Sequence, residues 1–152
     1  MGCLFTCFTL PYTTPPTPPM HPQQPVLVTA AILEKEGKIL LAQRPATDRL
    51  AGLWEFPGGK IEPHETPQDC LAREIEEELG IKVAVGELLA QTDYRYEHIY
   101  IRLLAYRVIY LSGQFCLHHH AAICWVFPPQ LLQYPLAPAD IPIAEKLISL
   151  GR

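Results

Sequence analysis

Positive charge is scarce in this chain of 152 residues: 12 Lys and Arg stand against 16 Asp and Glu, a formal net charge of −4. Binding to polymeric nucleic acid runs mainly on Lys and Arg contacts to phosphate, so that class of partner is not expected. Long apolar runs are missing too. Nothing approaches the ~20 residues that a membrane-spanning helix needs. The five cysteines, Cys3, Cys7, Cys70, Cys116 and Cys124, are odd in number and show no metal-type pairing. They read as free thiols of a reducing compartment rather than a disulfide framework. Internal repeats are absent, which excludes solenoids and propellers. What remains, 49% hydrophobic and 18% charged residues, is ordinary for one compact globular domain.

Against that background residues 59–81, GKIEPHETPQDCLAREIEEELGI, stand out. Thr66 ahead of Pro67 is a helix start, because a threonine oxygen caps free backbone N–H groups and proline suits the first helical position. Gly80 is the matching stop. At roughly 100° per residue, Glu74, Glu77 and Glu78 share one arc, while Leu71, Ala72, Ile75 and Leu79 share another. One face is expected to be buried and the other to be a carboxylate cluster. Like charges at such spacings cost an isolated helix a few tenths of a kcal/mol per pair, so a compensating cation is expected. Hard oxygen ligands favour Mg²⁺ or Mn²⁺ over zinc, and Mg²⁺ commonly joins carboxylates to substrate phosphates. A solvated acidic helix face is the plainer alternative.

Coarse periodicity and turn signals give strands at about 26–34, 38–43, 53–56, 81–94, 98–110 and 122–127, with turns at Glu36-Gly37 and Ser112-Gly113. Helices are predicted at about 67–79, briefly after Pro128-Pro129, and at about 142–150. The class is α/β, a mixed sheet covered by helices on both faces. The run His118-His119-His120 reads as a solvated loop, since consecutive residues of an extended chain point to opposite faces. Residues 1–25 read as a disordered Pro-rich tail and 26–152 as the domain. Met1-Gly2-Cys3-Leu4-Phe5-Thr6 fits an N-myristoylation pattern, with Cys3 and Cys7 as palmitoylation candidates. A start at Met20 is the other reading of that end.

Five residues separate Gly59 from Glu65 and seven separate Glu65 from Arg73, and Arg73, Glu74, Ile75, Glu77, Glu78, Gly80 and Ile81 follow without a break. This spacing resembles the Nudix box at every defined position. Ile39-Leu-Leu-Ala-Gln-Arg-Pro45 and Leu50-Ala-Gly-Leu-Trp-Glu-Phe-Pro-Gly-Gly-Lys60 look like the MutT branch of that family. Leu132-Gln-Tyr-Pro-Leu-Ala-Pro-Ala-Asp-Ile-Pro142 looks like its pyrimidine-directed members. The resemblance implies a Nudix fold and a Mg²⁺-dependent (or Mn²⁺-dependent) pyrophosphohydrolase, cytoplasmic and monomeric or homodimeric, that turns nucleoside triphosphates into monophosphate and pyrophosphate. Sanitation of oxidised nucleotides such as 8-oxo-dGTP is the first implied activity and (d)CTP or 5-methyl-dCTP hydrolysis the alternative. A non-catalytic nucleotide sensor is a third reading.

By the same resemblance the Gly58 carbonyl and Glu74, Glu77 and Glu78 hold metal, Glu65 and Arg73 orient the cluster, Arg44 and Lys60 meet phosphate, Phe56 packs on the base and Asp140 reads it. Local readings compete at three of these positions. Arg44 is also an exposed loop charge, Phe56 a core aromatic, and Asp140 a helix cap ahead of Ile141-Pro142. One departure concerns the proton acceptor. Related enzymes carry a further glutamate before the strand tryptophan, whereas His118 to Trp125 contains no carboxylate. His119, His120, Glu97 and the box glutamates all stay open as the base.

Overall fold

The computed structural model describes residues 24–151. The expected tail up to residue 23, the lipidation pattern and Met20 lie outside the described residues. The first two strands, β1 (Val26–Lys35) and β2 (Lys38–Gln43), form a hairpin. Its turn places Glu36 and Gly37 at φ 52° and 75°, the left-handed pair that lets a tight hairpin follow the strand twist. Then come β3 (Trp54–Glu55), α1 (Pro67–Leu79), β4 (Ile81–Arg95), β5 (Tyr100–Gly113), β6 (Ala122–Val126) and α2 (Ile141–Leu150). Short 3-10 turns occupy Pro128–Gln133 and Pro138–Asp140.

The strands make one mixed sheet in the order β3-β2-β1-β5-β4, with β6 on β2. β1 and β5 are parallel, paired from Val26 with Ile101 to Leu33 with Val108. β4 and β5 form a long antiparallel pair. Ala30 to Leu33 and Ile39 to Ala42 are buried without interruption, as expected for central strands covered on both faces. Alternation divides them between two cores. Ala31, Leu33 and Leu40 join Leu71, Ile75 and Leu79 of α1, and Ala30, Ile32, Ile39 and Leu41 join Ile143, Ala144 and Leu147 of α2. The sheet is therefore sandwiched between the two helices.

α1 begins and ends on the predicted residues. The Thr66 side chain accepts the Asp69 N–H at 3.1 Å, and Gly80 turns left-handed at φ 71°. Two expectations need correction. Ser112 and Gly113 are not a turn but the end of β5, paired with Lys82 and Ile81, because β4 runs straight on from α1 and needs a partner there. The histidine run is not wholly solvated either. His118 and His119 are exposed, but His120 is buried, its side chain fully covered.

Candidate active site

A cavity of about 590 Å³ opens beside the N-terminal half of β1. One wall is the segment Pro57–Ile61, which runs antiparallel to β1. The Thr29 and Ala31 N–H groups donate to Gly59 and Pro57 carbonyls at 2.8 and 2.7 Å, and Ile61 N–H donates to Leu27 at 3.1 Å. Two glycines lie against neighbours here, the first against backbone and the second against a side chain. A Cβ on Gly58 would stand 2.0 Å from the Thr29 carbonyl oxygen, and one on Gly59 would stand 2.3 Å from the Glu74 carboxyl carbon. The loop thus lies in contact with the acidic face of α1. Cys70, one turn earlier, sits buried beneath it, its thiol 3.3 Å from the Lys60 carbonyl.

Arg73 organises the carboxylates. Its Nε and Nη2 grip the two oxygens of Glu65 at 2.7 and 3.0 Å, and its Nη1 reaches Glu74 at 3.0 Å and Glu77 at 3.2 Å. The paired hydrogen bonds hold the Glu65 carboxyl down to about 2 and raise the Arg73 guanidinium. Among the described residues no trio of His, Cys, Asp or Glu already converges on one point. Arg73 engages Glu74 and Glu77 in its place.

Glu78 is different. Burial first, then the charges of Glu74 and Glu55, push its carboxyl up to about 8. Its Oε2 is buried with no hydrogen-bond partner. An all-oxygen acidic set beside Gly58, where a Cβ would meet backbone, fits a hard divalent cation. The donors that would hold it are Glu74, Glu77, Glu78 and the Gly58 carbonyl.

The other end of the cavity is apolar, with Val28, Phe56, Ile99, Ile101, Leu103 and Ala139 among its walls. Phe56 both lines the cavity and, at 3% exposure, belongs to the α2-side core. Asp140 is fully buried beside it. Its Oδ1 accepts the Phe56 N–H at 2.9 Å and makes no cap bond to α2. Burial and then Glu55 raise the Asp140 carboxyl well above the usual carboxylate range, against the pull of Phe56 N–H and Arg44. Burial thus favours the protonated form of Asp140, which can donate as well as accept.

Arg44 lies between the two ends, paired with Asp48 at 2.8 Å and Glu55 at 2.7 Å. Burial would lower its guanidinium, but Glu55 and Asp48 outweigh it and the net effect is upward. It is a structured cavity charge, not a free loop arginine. Lys60 is exposed on the rim. Glu65, Arg73, Glu74 and Glu77 sit behind or beside the wall rather than in it, linked through Arg73. Of the open base candidates, His119 lines the cavity 4.0 Å from Asp48, Glu97 is exposed outside it, and His120 is covered. Three further cavity residues escaped the sequence reading: Asp48, Tyr96 and above all Glu55. The signal for Glu55 was its place between Trp54 and Phe56, which sets it on the opposite strand face from two core aromatics.

A sequence profile of the NUDIX domain matches residues 28–146. The chain belongs to the Nudix family. This Nudix chain is 50% identical over 123 residues to the CTP pyrophosphohydrolase of Escherichia coli, covering 81% of its own length and 91% of that protein's. It is 40% identical over 118 residues to putative 8-oxo-dGTP diphosphatase 2 of Mycobacterium tuberculosis, covering 75% and 82% of the two. Among solved structures, the MutT protein of Methanosarcina mazei superposes with a TM-score of 0.77 at 25% identity over 86% of this chain and 98% of that one. Among the described residues of the Nudix chain no helix is long and apolar enough to cross a membrane. Cys70, Cys116 and Cys124 are free thiols.

Proposed function

We propose that this Nudix chain is a Mg²⁺-dependent pyrophosphohydrolase of nucleoside triphosphates, releasing a nucleoside monophosphate and pyrophosphate. The observation that carries the reading is a single cavity with an acidic, glycine-lined end and an apolar end closed by the buried carboxyl of Asp140. Such a cavity takes phosphates at one end and a base at the other. When bound, a divalent cation would neutralise phosphate charge and activate a water nucleophile. Glu74, Glu77, Glu78 and the Gly58 carbonyl would hold it, while Arg73 keeps two of those carboxylates aimed. Arg44 would exchange part of its pairing with Asp48 and Glu55 for a phosphate oxygen, and Lys60 would screen charge at the rim.

Base choice follows from Asp140. In its protonated form, the form that burial favours, this carboxyl offers one donor and one acceptor side by side. Cytosine presents the complement in its N3 and amino group, and 8-oxo-guanine presents it in O6 and its N7–H. Unmodified guanine offers only acceptors on that edge. The chain is therefore proposed to act on (d)CTP and 8-oxo-dGTP in preference to dGTP. The 50% relative favours the cytosine nucleotide, and the 40% relative favours the oxidised purine in a nucleotide-sanitising role.

Pyrophosphate release from a panel of dCTP, 5-methyl-dCTP, 8-oxo-dGTP, dGTP, dATP and dTTP with Mg²⁺ tests the reading. Turnover concentrated on the first three supports it. Nucleotide binding without turnover anywhere in the panel would instead mark a sensor.

A further inference from the structure

Behind Glu78 lies a buried polar group that the proposed chemistry does not use. The His120 side chain is fully covered and its Nε2 stands 2.9 Å from Glu55 Oε1. Glu55 in turn receives Arg44 Nη1 at 2.7 Å. The ring's other nitrogen, Nδ1, faces Glu78 Oε2 at 4.0 Å, too far for a direct hydrogen bond. Those two atoms share a further property: each is buried with no hydrogen-bond partner.

The chemistry of the partners sets the tautomer. Glu55, a carboxylate held by Arg44 through Oε2, accepts through Oε1, so His120 Nε2 carries the proton and donates it. Nδ1 is then an acceptor, and so is Glu78 Oε2 once the carboxylate has given up its proton to bind metal. Two buried acceptors 4.0 Å apart need one donor that reaches both. A water does this: two O–H···acceptor bonds of about 2.8 Å meeting near a right angle span that gap.

We propose that His120 is a positioning residue for the metal-binding carboxylate Glu78: Glu55 fixes the ring by its Nε2–H, and Nδ1 holds Glu78 Oε2 through one bridging water. The other Glu78 oxygen is thereby turned to the cavity. The arrangement joins the Arg44–Glu55 pair to the metal end of the site. It also gives the carboxylate-free stretch from His118 to Trp125 a part in the metal centre, one carried by imidazole. His120 itself touches neither substrate nor metal. The inference rests on the proposed metal-dependent reading of the site.

The test uses the full chain and two readouts that need no turnover. In metal-free ¹⁵N-labelled protein at pH 7.5, long-range ¹H–¹⁵N correlation spectra are expected to show the His120 ring as the Nε2–H tautomer, assigned by its loss in His120→Gln. Mn²⁺ affinity is then measured by electron paramagnetic resonance. His120→Gln restores a donor to Glu55 but puts nothing at the Nδ1 position, so it should keep the wild-type melting temperature and lose about 10-fold in Mn²⁺ affinity, the low end for an outer-shell partner. An Nδ1–H tautomer or a doubly protonated ring in the wild type would overturn the proposal. So would His120→Gln binding Mn²⁺ as tightly as wild type. Should that variant not fold, His120→Asn, which places a polar atom near Nδ1, supplies the assignment, and the wild-type tautomer decides. Absence of hydrolysis across the nucleotide panel would count against the proposed activity alone, because both readouts are taken without substrate.

Discussion

Asp140 Oδ1 accepts the backbone N–H of Phe56 at 2.9 Å, closing a contact between residues 84 positions apart and fixing the carboxyl at the apolar end of the cavity. With its folded pKa raised by burial and Glu55, Asp140 binds a proton that the unfolded chain releases near 3.8. Folding therefore retains a proton over that window, and this group's contribution to stability declines as pH rises through it. Asp140→Asn keeps the acceptor for Phe56 and removes the titration. Its melting temperature should match wild type near pH 4 and exceed it at pH 8. The same substitution fixes the donor and acceptor as an amide and should change the ratio of kcat/KM for dCTP over 8-oxo-dGTP, by about 10-fold or more if the carboxyl reads the base. An unchanged ratio would return Asp140 to a purely structural place under Phe56.

How far such features can be read in advance depends on how local they are. Thr66, Pro67 and Gly80 bound α1 through interactions within one turn of chain, and their sequence reading needs no tertiary knowledge. The Leu71, Ile75, Leu79 stripe is legible for the same reason. Asp140 offers the opposite lesson. Its local context suggested a cap, yet its bond goes to Phe56, just past β3 and far upstream, and no neighbour in sequence signals that. Glu55 is a lone strand glutamate until Arg44, His120 and Glu78 gather around it. His120 looked like part of a polar loop, and its burial follows only from β6 pairing with β2, which carries Ala121 N–H onto Gln43. Ser112-Gly113 misled in the same way, since turn composition lost to the pairing that β4 required.

The two loop glycines should behave differently when given a methyl group. At Gly58 the obstacle is the Thr29 carbonyl, 2.0 Å from the new Cβ, and backbone within the sheet has nowhere to go. Gly58→Ala should cost on the order of 1–3 kcal/mol or more of stability. At Gly59 the obstacle is the Glu74 carboxyl at 2.3–2.6 Å, the far end of a side chain that can swing aside. Gly59→Ala should melt close to wild type while binding Mn²⁺ more weakly. Melting curves and Mn²⁺ titrations on the two proteins check this, and equal effects of both substitutions would contradict the placement of Glu74 against the loop.

Metal affinity should follow the protonation of Glu78. Its carboxyl rises from 4.5 to about 8 through burial and the neighbouring Glu74 and Glu55. Across that window the metal-free fold binds a proton that the unfolded chain does not, so the metal-free protein loses stability as pH climbs from 4.5 to 8. A cation must displace the same proton. Its affinity should rise by close to 10-fold per pH unit below that value and flatten above it. Mn²⁺ dissociation constants between pH 6 and 9 measure the slope, and Glu78→Gln should flatten it. A pH-independent affinity in the wild type would mean that Glu78 is ionised before metal arrives.

Arg73→Lys keeps the charge and removes the geometry. The guanidinium meets Glu65 with two parallel bonds while a third nitrogen spans Glu74 and Glu77. An ammonium is a point charge and cannot hold three carboxylates in a fixed plane. Turnover and Mn²⁺ affinity should each fall by about 10- to 100-fold, the range for groups that orient ligands without binding metal. The acid limb gives an independent sign. Glu65 is held at about 2 against an ordinary 4.5, so its contribution is complete above 4.5 and is lost as pH falls through about 2. The variant, with a weaker grip on Glu65, should be less stable than wild type at pH 5, and the gap should close toward pH 2. Acid titrations of the two proteins followed by circular dichroism measure that gap. A lysine variant as active and as acid-resistant as wild type would show that the Arg73 fork plays no part in aiming the cluster.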